Sequence, residues 1–329
     1  MDRLRLSIAT TDYDHFRDVR TGEVRPAGID LIWSLLGHHE VFARFTYDRE
    51  WDIAELSFAK FMAQVTRPEP DIVALPIACS RVFRFGSFYV NRHSGIRSAE
   101  DLRGKRVGSP EWAHTCAVWM RGWLGESAGV RLQDVHWVQA GANEAGREEK
   151  VELDLPDGVD LERITDRSLS DLLAVGEIDC AIIARPPNCF LEGHPDVVRL
   201  FPDHGAMERE YHAETGVWPI MHLLAMKRAV LDEHPWVARN LLNAFTASKD
   251  ASVRRMLDPA VSRYPLPWVP PFAEELVERF DGDPFPFGVE RNRPTLERFL
   301  RYTAEQGIAK RHVTPEEIFP SGIDTTIRV

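Results

Sequence analysis

The sequence lacks the short motifs that mark the commonest nucleotide-binding and hydrolytic sites. It contains no GxGxxG, no P-loop and no GxSxG, so a dinucleotide, a nucleoside triphosphate or a serine nucleophile has no support. Its 12 histidines show no HxH or HExxH spacing, and no metal signature is present. Any function must therefore be sought in residues that the fold brings together.

Cysteine and long hydrophobic runs are also scarce. The 329 residues include four cysteines without a CxxC pair, and no run of 18 apolar residues occurs. We therefore expect free thiols and no membrane-spanning helix. The first residues, MDRLRLSIATTDYD, contain no apolar core and no small-residue cleavage site, so a secretory signal is not expected. These features together favour a cytoplasmic location.

Positive charge is in deficit. The chain carries 40 Lys and Arg against 51 Asp and Glu, which gives a formal net charge of −11. This balance argues against nucleic acids and membranes as partners. It permits a local basic pocket, so a small anionic molecule is the expected partner. An acidic surface also permits the protein to form a homo-oligomer.

Short apolar segments alternate with helical patterns along the chain, which predicts an α/β protein. The predicted strands include LRLSIAT, GIDLIWSLL, GSFYVN, RVGSP, VHWVQA, DCAII and GVWPIMHLLAMKR. The segment DIVALPIACS is nearly all apolar, which predicts a buried parallel strand. HHEVFARFTYD and HPWVARNLLNAFTASKDAS are predicted helices, and PLPWVPPF and DGDPFPFG are predicted extended or turn segments.

The length and the order of these elements predict two lobes. A chain of 329 residues is longer than one core usually holds. The chain is expected to leave a first lobe near residue 93 and to return to it near residue 200. We therefore predict a discontinuous lobe I over 1–93 and 199–329, with C-terminal helices, and a lobe II over 94–198. Two such crossovers form a hinge with a cleft between the lobes.

A carboxylate and a hydroxyl lie close together in WDIAELSFAKF, which begins at Trp51. The segment from Asp52 is predicted to be a short strand, and an amphipathic helix follows from Ser57, its expected N-cap. Glu55 and Ser57 would then flank a strand-to-helix turn, where open α/β sheets bind ligands. The alternative is that Glu55 is a solvated turn residue and Ser57 only a cap.

Nine segments, in order, resemble the 4,5-dihydroxyphthalate decarboxylase family, a cytoplasmic branch of the type 2 periplasmic-binding-protein fold. They are DIAELSFA, ACSRVFRFGSFYVN, SGIRSAEDLRGKRVGSPEW, AVWMRG, LLAVGEIDCAI with ARPP, RLFPD, TGVWPIMH and HPWVA. They span nearly the whole chain. The resemblance implies the two-lobed fold and an enzyme that removes CO2 from a hydroxylated aromatic carboxylate.

The implied reaction has definite chemical requirements. Each carboxylate of 4,5-dihydroxyphthalate is para to a phenol, so loss of the phenolic proton moves electron density to the carbon that bears the carboxylate. Protonation of that carbon gives a dienone, from which CO2 leaves. The site then needs cations for two carboxylates, a base near the phenol and an acid near the ring carbon. No organic cofactor is predicted, because the phenol itself supplies the electrons.

Three arginines are candidates for carboxylate binding. Arg81 and Arg84 follow a predicted buried strand in CSRVFR, although both could equally be surface residues in ion pairs. Arg185 directly follows DCAII and precedes two prolines that restrict the backbone. Since Arg185 would come from lobe II, the substrate would bridge the lobes.

The stretch EWAHT lies at the start of a predicted helix, whose N-terminus favours anions. Glu111 and His114 are candidates for proton transfer, Thr115 for capping and substrate contact, and Trp112 for stacking on the aromatic ring. The alternatives are an exposed loop histidine at His114 and a core residue at Trp112.

His222 and Glu55 complete the set of proton-transfer and hydroxyl-binding candidates, although His222 in an apolar strand is also typical of a core residue. Glu144 and Arg147 belong to a charge run, ANEAGREEK, that we interpret as a solvated loop, although both could also reach the cleft. No metal site is predicted, and a divalent metal held across the lobes by Glu55, His114 and His222 stays open as an alternative. Two other functions on the same fold also stay open as alternatives: solute binding without catalysis, and catalysis by another small-molecule lyase or hydrolase.

Overall fold

The computed structural model describes residues 3–323 and contains two β-sheets flanked by helices. The first sheet has the order β2-β1-β3-β11-β4, and the second has the order β10-β5-β9-β6-β7-β8. The strands of the first sheet are β1 Leu4–Thr10, β2 Ile29–Leu35, β3 Ile53–Ser57, β4 Ile72–Arg81 and β11 Ile220–Lys227. Those of the second are β5 Phe88–Asn91, β6 Arg106–Ser109, β7 His136–Gly141, β8 Asp160–Ser168, β9 Cys180–Ile182 and β10 Val197–Arg199.

Twelve α-helices connect and cover the strands within the described residues. They are α1 Arg17–Thr21, α2 His38–Asp48, α3 Phe58–Val65, α4 Thr115–Ser127, α5 Leu169–Ala174, α6 Asn188–Leu191, α7 His204–Thr215, α8 Arg228–Glu233, α9 Val237–Leu257, α10 Val269–Arg279, α11 Arg293–Glu305 and α12 Pro315–Ile318. Over residues 3–323, no helix combines the length and the apolar character needed to cross a membrane.

The predicted strands are confirmed, and two further strands, β8 and β10, were not predicted. β8 lies at the edge of the second sheet, and most of its side chains are exposed or half-buried, so its sequence has no apolar alternation. β10 is only three residues long. Neither strand therefore carries the hydrophobic pattern on which the prediction depended.

The prediction that DIVALPIACS forms a parallel strand is wrong in its pairing. β4 is almost completely buried, as expected, but its neighbour β11 runs antiparallel to it. β11 returns from the second sheet and inserts between β3 and β4, which separates two strands that would otherwise pair in parallel. A strand is buried on both faces when helices cover it on both sides, as α3 and α9 cover β4. This burial does not show whether the neighbouring strand runs parallel or antiparallel to it.

The chain crosses between the sheets twice, from β4 to β5 and from β10 to β11. β5 pairs with β9 and β10 and so belongs to the second sheet. We propose from this pairing that the first crossing lies between Arg81 and Phe88. The lobe limits of 1–93 with 199–329 and of 94–198 stay predictions.

The prediction of an extended PLPWVPPF segment is wrong for its second half, where α10 begins at Val269. Pro270 and Pro271 occupy the first helical turn, where the N–H groups that proline lacks would have no helical partner. DGDPFPFG contains no helix or strand, as predicted. The sequence did not predict this helix because proline in the interior of a helix breaks it.

The two sheets present the carboxyl ends of their parallel strands to one cleft. In the first sheet the chain reaches the cleft after β1, β2 and β3, and in the second after β6, β7 and β9. This is the position at which open α/β sheets bind ligands, because neighbouring loops diverge there and leave a crevice.

Candidate active site

The cleft has a volume of about 260 Å³ and is lined by residues from both sheets. Six residues that the sequence predicted for the site line it, namely Ser57, Arg84, His114, Thr115, Arg185 and His222. Six further residues with charged, hydroxyl or imidazole side chains line it and were not among the predicted site residues, namely Tyr13, His38, His39, Lys60, Ser80 and Arg147. The volume is close to the lower end of the range for small-molecule sites.

The charge of the cleft wall is opposite to that of the protein. Lys60, Arg84, Arg147 and Arg185 line the cleft, and within residues 3–323 no aspartate or glutamate does so. The chain as a whole has a formal net charge of −11. A concave, carboxylate-free surface with four cations attracts anions, and arginine matches the planar shape of a carboxylate.

Glu55 and His222 form a hydrogen-bonded pair at the floor of this cleft. Glu55 lies on β3 and His222 on the neighbouring β11, one diagonal step apart on the same face of the sheet. Glu55 Oε1 is 2.7 Å from His222 Nδ1 and 2.6 Å from the Tyr13 hydroxyl, and Oε2 accepts a 2.7 Å hydrogen bond from the Thr11 N–H. The alternative of a solvated Glu55 is therefore wrong, since the residue is fully buried.

These partners set the protonation states of the pair. Burial alone would raise the pKa of Glu55, but the hydrogen bond and charge of His222 and the donors at Thr11 and Tyr13 lower it to about 2. Burial and the Glu55 charge raise the pKa of Tyr13, which keeps its proton. An ionised Glu55 then assigns the His222 proton to Nδ1 and leaves Nε2 as the basic ring nitrogen.

Glu111 lies on the other side of the cleft and is surrounded by cations. It forms ion pairs with Lys60 of α3, with Arg147 Nε at 2.7 Å and with Lys150 Nζ at 2.8 Å. Burial would raise the pKa of Glu111, but these three positive charges hold it well below its usual range. Glu111 is fully buried and does not itself line the cleft, so it acts on the cleft through Lys60 and Arg147.

The loop after β7 brings Arg147 into this cluster. Further along the chain, Asp154 anchors the same loop to Gly307 and Lys310. The Asp154 N–H donates a 2.8 Å hydrogen bond to the Gly307 carbonyl, and Asp154 forms a 2.8 Å ion pair with Lys310. A Cβ atom at Gly307 would lie 1.8 Å from the Asp154 carbonyl oxygen, so only glycine permits this approach. The interpretation of ANEAGREEK as a solvated loop is therefore wrong for Arg147, which is 23% exposed.

Ser57 and Thr115 join α3 to α4. Ser57 occupies the N-cap position of α3, as predicted, but its hydroxyl lies 2.8 Å from Thr115 Oγ1 and does not cap the helix. Thr115 Oγ1 accepts a 3.1 Å hydrogen bond from the Ala59 N–H and so supplies the missing cap from another element. The prediction that Thr115 caps its own helix is wrong, because Thr115 is the first residue of α4 and His114 precedes it as the N-cap.

His114 lines the cleft as a neutral imidazole. Burial lowers its pKa well below the ordinary value, and the charges of Lys60 and Arg147 act in the same direction against that of Glu111. Its Nδ1 is buried, and no group within residues 3–323 forms a hydrogen bond with it. The alternative of an exposed loop histidine is therefore wrong.

Arg84 and Arg185 present cations from the crossing segment and from the second sheet. Arg84 Nη1 donates a 3.3 Å hydrogen bond to the Ala184 carbonyl, which spans the cleft edge. Arg185 follows β9 and is exposed, and no group within residues 3–323 forms a hydrogen bond or ion pair with its guanidinium. These two guanidinium groups are therefore available to an anion that enters the cleft.

Two predicted substrate-binding residues lie outside the cleft. Arg81 is buried, donates to the Asn292 side-chain oxygen and lies 5.0 Å from the centre of the Trp218 ring. Trp112 is also buried, and its Nε1 donates a 2.8 Å hydrogen bond to the Gln306 carbonyl. Neither side chain lines the cleft, so the structure does not bring Arg81 or Trp112 together with the other predicted site residues.

Lys60 was missed although the sequence contained a signal for it. It is the only charged residue of α3, whose eight residues are all buried. A lysine in the middle of such an apolar helix needs a buried counter-charge, which is Glu111 here. Tyr13, His38 and His39 carried no comparable signal. Within residues 3–323, no group of three or more His, Cys, Asp or Glu side chains could hold a metal ion.

Comparisons with known proteins relate both the chain and its fold to characterised examples. The chain is 35% identical to a 4,5-dihydroxyphthalate decarboxylase from Comamonas testosteroni over 327 residues, which covers 99% of both chains. It is 40% identical to a 4,5-dihydroxyphthalate decarboxylase from Pseudomonas putida over 215 residues, 65% of this chain and 83% of the other. No family model matches the chain.

Solved structures show the same architecture at low sequence identity. The periplasmic aliphatic sulphonate-binding protein SsuA from Escherichia coli superposes with a TM-score of 0.53 at 11% identity, covering 98% of this chain and 99% of that one. The desulfurization enzyme DSZB superposes with a TM-score of 0.50 at 14% identity, covering 98% and 97%. These likenesses confirm the predicted periplasmic-binding-protein fold, and the fold hosts both receptors and enzymes.

Proposed function

The chain belongs to the 4,5-dihydroxyphthalate decarboxylase family, and we propose that it removes one carboxylate of 4,5-dihydroxyphthalate in the cleft between its two sheets. It is an enzyme of the carboxy-lyase class. The expected product is 3,4-dihydroxybenzoate, formed with CO2. The predicted cytoplasmic location and homo-oligomer stay predictions, and the four buried, unpaired cysteines fit a reducing compartment.

The observation that carries this proposal is a cation-lined cleft with a histidine at its floor that is hydrogen-bonded to a buried carboxylate. A dihydroxyphthalate presents two carboxylates on adjacent ring carbons, and the cleft presents four cations without a competing carboxylate. Arg84 and Arg185 approach from one edge, while Glu111 holds Lys60 and Arg147 on another wall. We assign the two carboxylates to these cations.

We assign proton abstraction to His222. Its Nε2, which the Nδ1 hydrogen bond to Glu55 leaves without a proton, takes the proton of the hydroxyl para to the departing carboxylate. The oxygen electrons move through the ring to the carbon that bears this carboxylate, and that carbon takes a proton from water. The bond to the carboxylate then breaks, CO2 leaves without the bonding pair, and the pair restores the aromatic phenolate, which regains its proton from the His222 imidazolium.

Glu55 is a positioning residue in this scheme. It does not line the cleft, and it acts by fixing the ring tautomer and by stabilising the imidazolium that forms. Of the four predicted proton-transfer residues, we therefore place His222 at the substrate, His114 as a neutral cleft contact, and Glu55 and Glu111 behind the wall.

The test is incubation of the purified protein with 4,5-dihydroxyphthalate, with and without a chelator, followed by measurement of CO2 and 3,4-dihydroxybenzoate. We expect both products from the wild type. Arg185→Ala should raise KM by about 10- to 100-fold, because a charge-assisted hydrogen bond contributes roughly 1.5–3 kcal/mol. Arg131→Ala removes an exposed arginine paired with Asp134 and should leave KM unchanged.

Two outcomes would contradict the proposal. Thermal stabilisation by 4,5-dihydroxyphthalate without CO2 release would favour a solute-binding protein, which the likeness to the sulphonate-binding protein makes a specific alternative. Full activity in Arg185→Ala would remove the role that we assign to that residue.

A further inference from the structure

Two consecutive histidines line the cleft and have no part in the reaction proposed above. His38 and His39 begin α2, directly beyond the carboxyl end of β2. Within residues 3–323, no group forms a hydrogen bond with either ring. A half-buried polar ring that faces a binding cleft without a partner is available to a ligand.

His38 is held against the proposed base. Its ring centre lies 5.6 Å from that of His222, and the two ring planes are inclined by 28°. Phe42, one turn further along α2, packs on both rings, with its centre 5.6 Å from His38 and 4.8 Å from His222. This aromatic contact fixes the position of His38 relative to His222.

The protonation state of His38 suits a neutral hydroxyl group. Burial lowers its pKa to about 4, and the charges of His222, Arg185 and Arg147 act in the same direction against that of Glu55. At neutral pH its ring therefore carries one N–H donor and one acceptor nitrogen. Such a ring can accept a hydrogen bond from a phenol and donate one to it, whereas a carboxylate is better matched by the arginines.

The substrate offers one group that these contacts leave without a partner. In the proposed reaction the cations hold the carboxylates and His222 takes the proton from one hydroxyl. The second hydroxyl lies on the adjacent ring carbon, so its partner must be beside His222, where His38 lies. A hydroxyl left without a partner in the cleft would cost binding free energy.

We propose that His38 binds the second hydroxyl of the substrate and thereby makes the cleft specific for a vicinal diol over a monohydroxylated ring. This inference rests on the proposed function. A site that hydrogen-bonds a substrate hydroxyl discriminates against the analogue without it, because the site then retains an unsatisfied polar group.

The test compares two product-like ligands that differ only in that hydroxyl. Calorimetry would give the Kd of 3,4-dihydroxybenzoate and of 3-hydroxybenzoate, which lacks the hydroxyl assigned to His38, for the wild type and for His38→Phe, which keeps an aromatic ring of similar size. We expect the variant to bind 3,4-dihydroxybenzoate about tenfold more weakly and 3-hydroxybenzoate with unchanged Kd, as for the loss of one hydrogen bond.

Three further variants and measurements make the test selective. His93→Phe is the control, since His93 is 73% exposed, pairs with Asp196 and does not line the cleft, and its ratio of the two Kd values should equal that of the wild type. His38→Gln keeps a donor and an acceptor and should recover part of the preference. Thermal unfolding of each variant checks that the fold is retained.

The possible failures are distinguishable. Wild-type turnover of 4,5-dihydroxyphthalate with an unchanged ratio of Kd values in His38→Phe would overturn this inference alone. So would an equal loss of affinity for both ligands. Absence of turnover and of binding in the wild type would overturn the proposed function and this inference together.

Discussion

Two buried glutamates stand behind the same cleft and differ in the groups that surround them. Glu55 and Glu111 are both fully buried, and each accepts hydrogen bonds from three donors. The donors to Glu55 are a backbone N–H, a phenol and an imidazole, whereas those to Glu111 are three cationic side chains. Both carboxyl groups have a lowered pKa, so both are ionised at neutral pH.

The difference teaches that burial and ionisation alone do not define a role in catalysis. Among the partners of Glu55 only His222 has a second ring nitrogen that can take up a proton from the cleft, so Glu55 controls where the imidazole proton lies. The partners of Glu111 stay charged, so Glu111 holds Lys60 and Arg147 in place and leaves the cluster with an excess of positive charge. Measurements that separate protein stability from turnover therefore test whether Glu55 and Glu111 have different roles.

The largest effect on stability is expected from Glu111→Gln. The variant would leave three cations close together without their carboxylate, and removal of one partner from a buried ion pair costs roughly 3–5 kcal/mol. Unfolding in urea, followed by circular dichroism, should show a lower free energy of unfolding by about this amount. Glu55→Gln should lose less, because none of the three donors to Glu55 is a lysine or an arginine.

Glu162→Gln is the control for that measurement. Glu162 pairs with Arg106 on the surface, where both side chains are at least 42% exposed. An exposed ion pair contributes about 0–1 kcal/mol, so this variant should unfold almost like the wild type. Similar losses in Glu162→Gln and Glu111→Gln would contradict the assignment of a stabilising role to the buried cluster.

Turnover should respond in the opposite order, with Glu55→Gln as the most impaired variant. The amide N–H2 would face His222 Nδ1 and favour the proton on Nε2, which removes the base from the cleft. We expect kcat to fall by about 100- to 1,000-fold, within the usual range for general-base catalysis, and KM to change little. A raised KM with unchanged kcat would instead assign Glu55 to substrate binding.

The pH dependence of stability should show the same carboxyl group. The folded-state pKa of Glu55 is about 2, below its ordinary value of 4.5, so its contribution to stability is present above about pH 4.5. It is lost as the pH falls from 4.5 towards 2. The difference in unfolding free energy between wild type and Glu55→Gln should therefore shrink by about 3 kcal/mol across this range. A constant difference would show that Glu55 is not ionised in the fold.

The fold could be predicted largely from local sequence patterns, since apolar strands and amphipathic helices carry their own periodicity. What could not be predicted is which strands become neighbours. β11 arrives from the second sheet and gives β4 an antiparallel partner, and nothing within DIVALPIACS signals this. The edge strand β8 was missed because it is polar, so the pattern fails where burial is small.

The site was predictable where a residue followed a recognisable strand, as for Arg185 after β9 and Ser57 at the end of β3. The same rule failed for Arg81, because β4 and β11 shift register three times beside it and the direction of its side chain cannot be counted along the strand. Arg147 was missed because a charge run normally indicates solvent. Its counter-charge lies 36 residues earlier, and only the fold brings the two together.

The smallest effects on kcat and KM should come from removing one hydrogen-bond donor from Glu55 or from Glu111. These variants separate the roles of the two carboxylates most directly. Tyr13→Phe removes the 2.6 Å hydrogen bond to Glu55, and Lys150→Met removes the 2.8 Å ion pair to Glu111. Each interaction is worth about 1–2 kcal/mol. Tyr13→Phe should lower kcat by roughly 5- to 10-fold, because Glu55 then holds the His222 proton less firmly.

Lys150→Met should instead leave kcat unchanged and raise KM by roughly two- to threefold, because the cleft wall loses part of its positive charge without losing Lys60 or Arg147. Steady-state kinetics of both variants would separate the two roles within one experiment. If both substitutions changed the same kinetic parameter, Glu55 and Glu111 would share one role, and the distinction between a carboxylate that positions a proton and one that holds cations would fail. A split between kcat and KM follows only if the chemical nature of the donors decides what each buried carboxylate does.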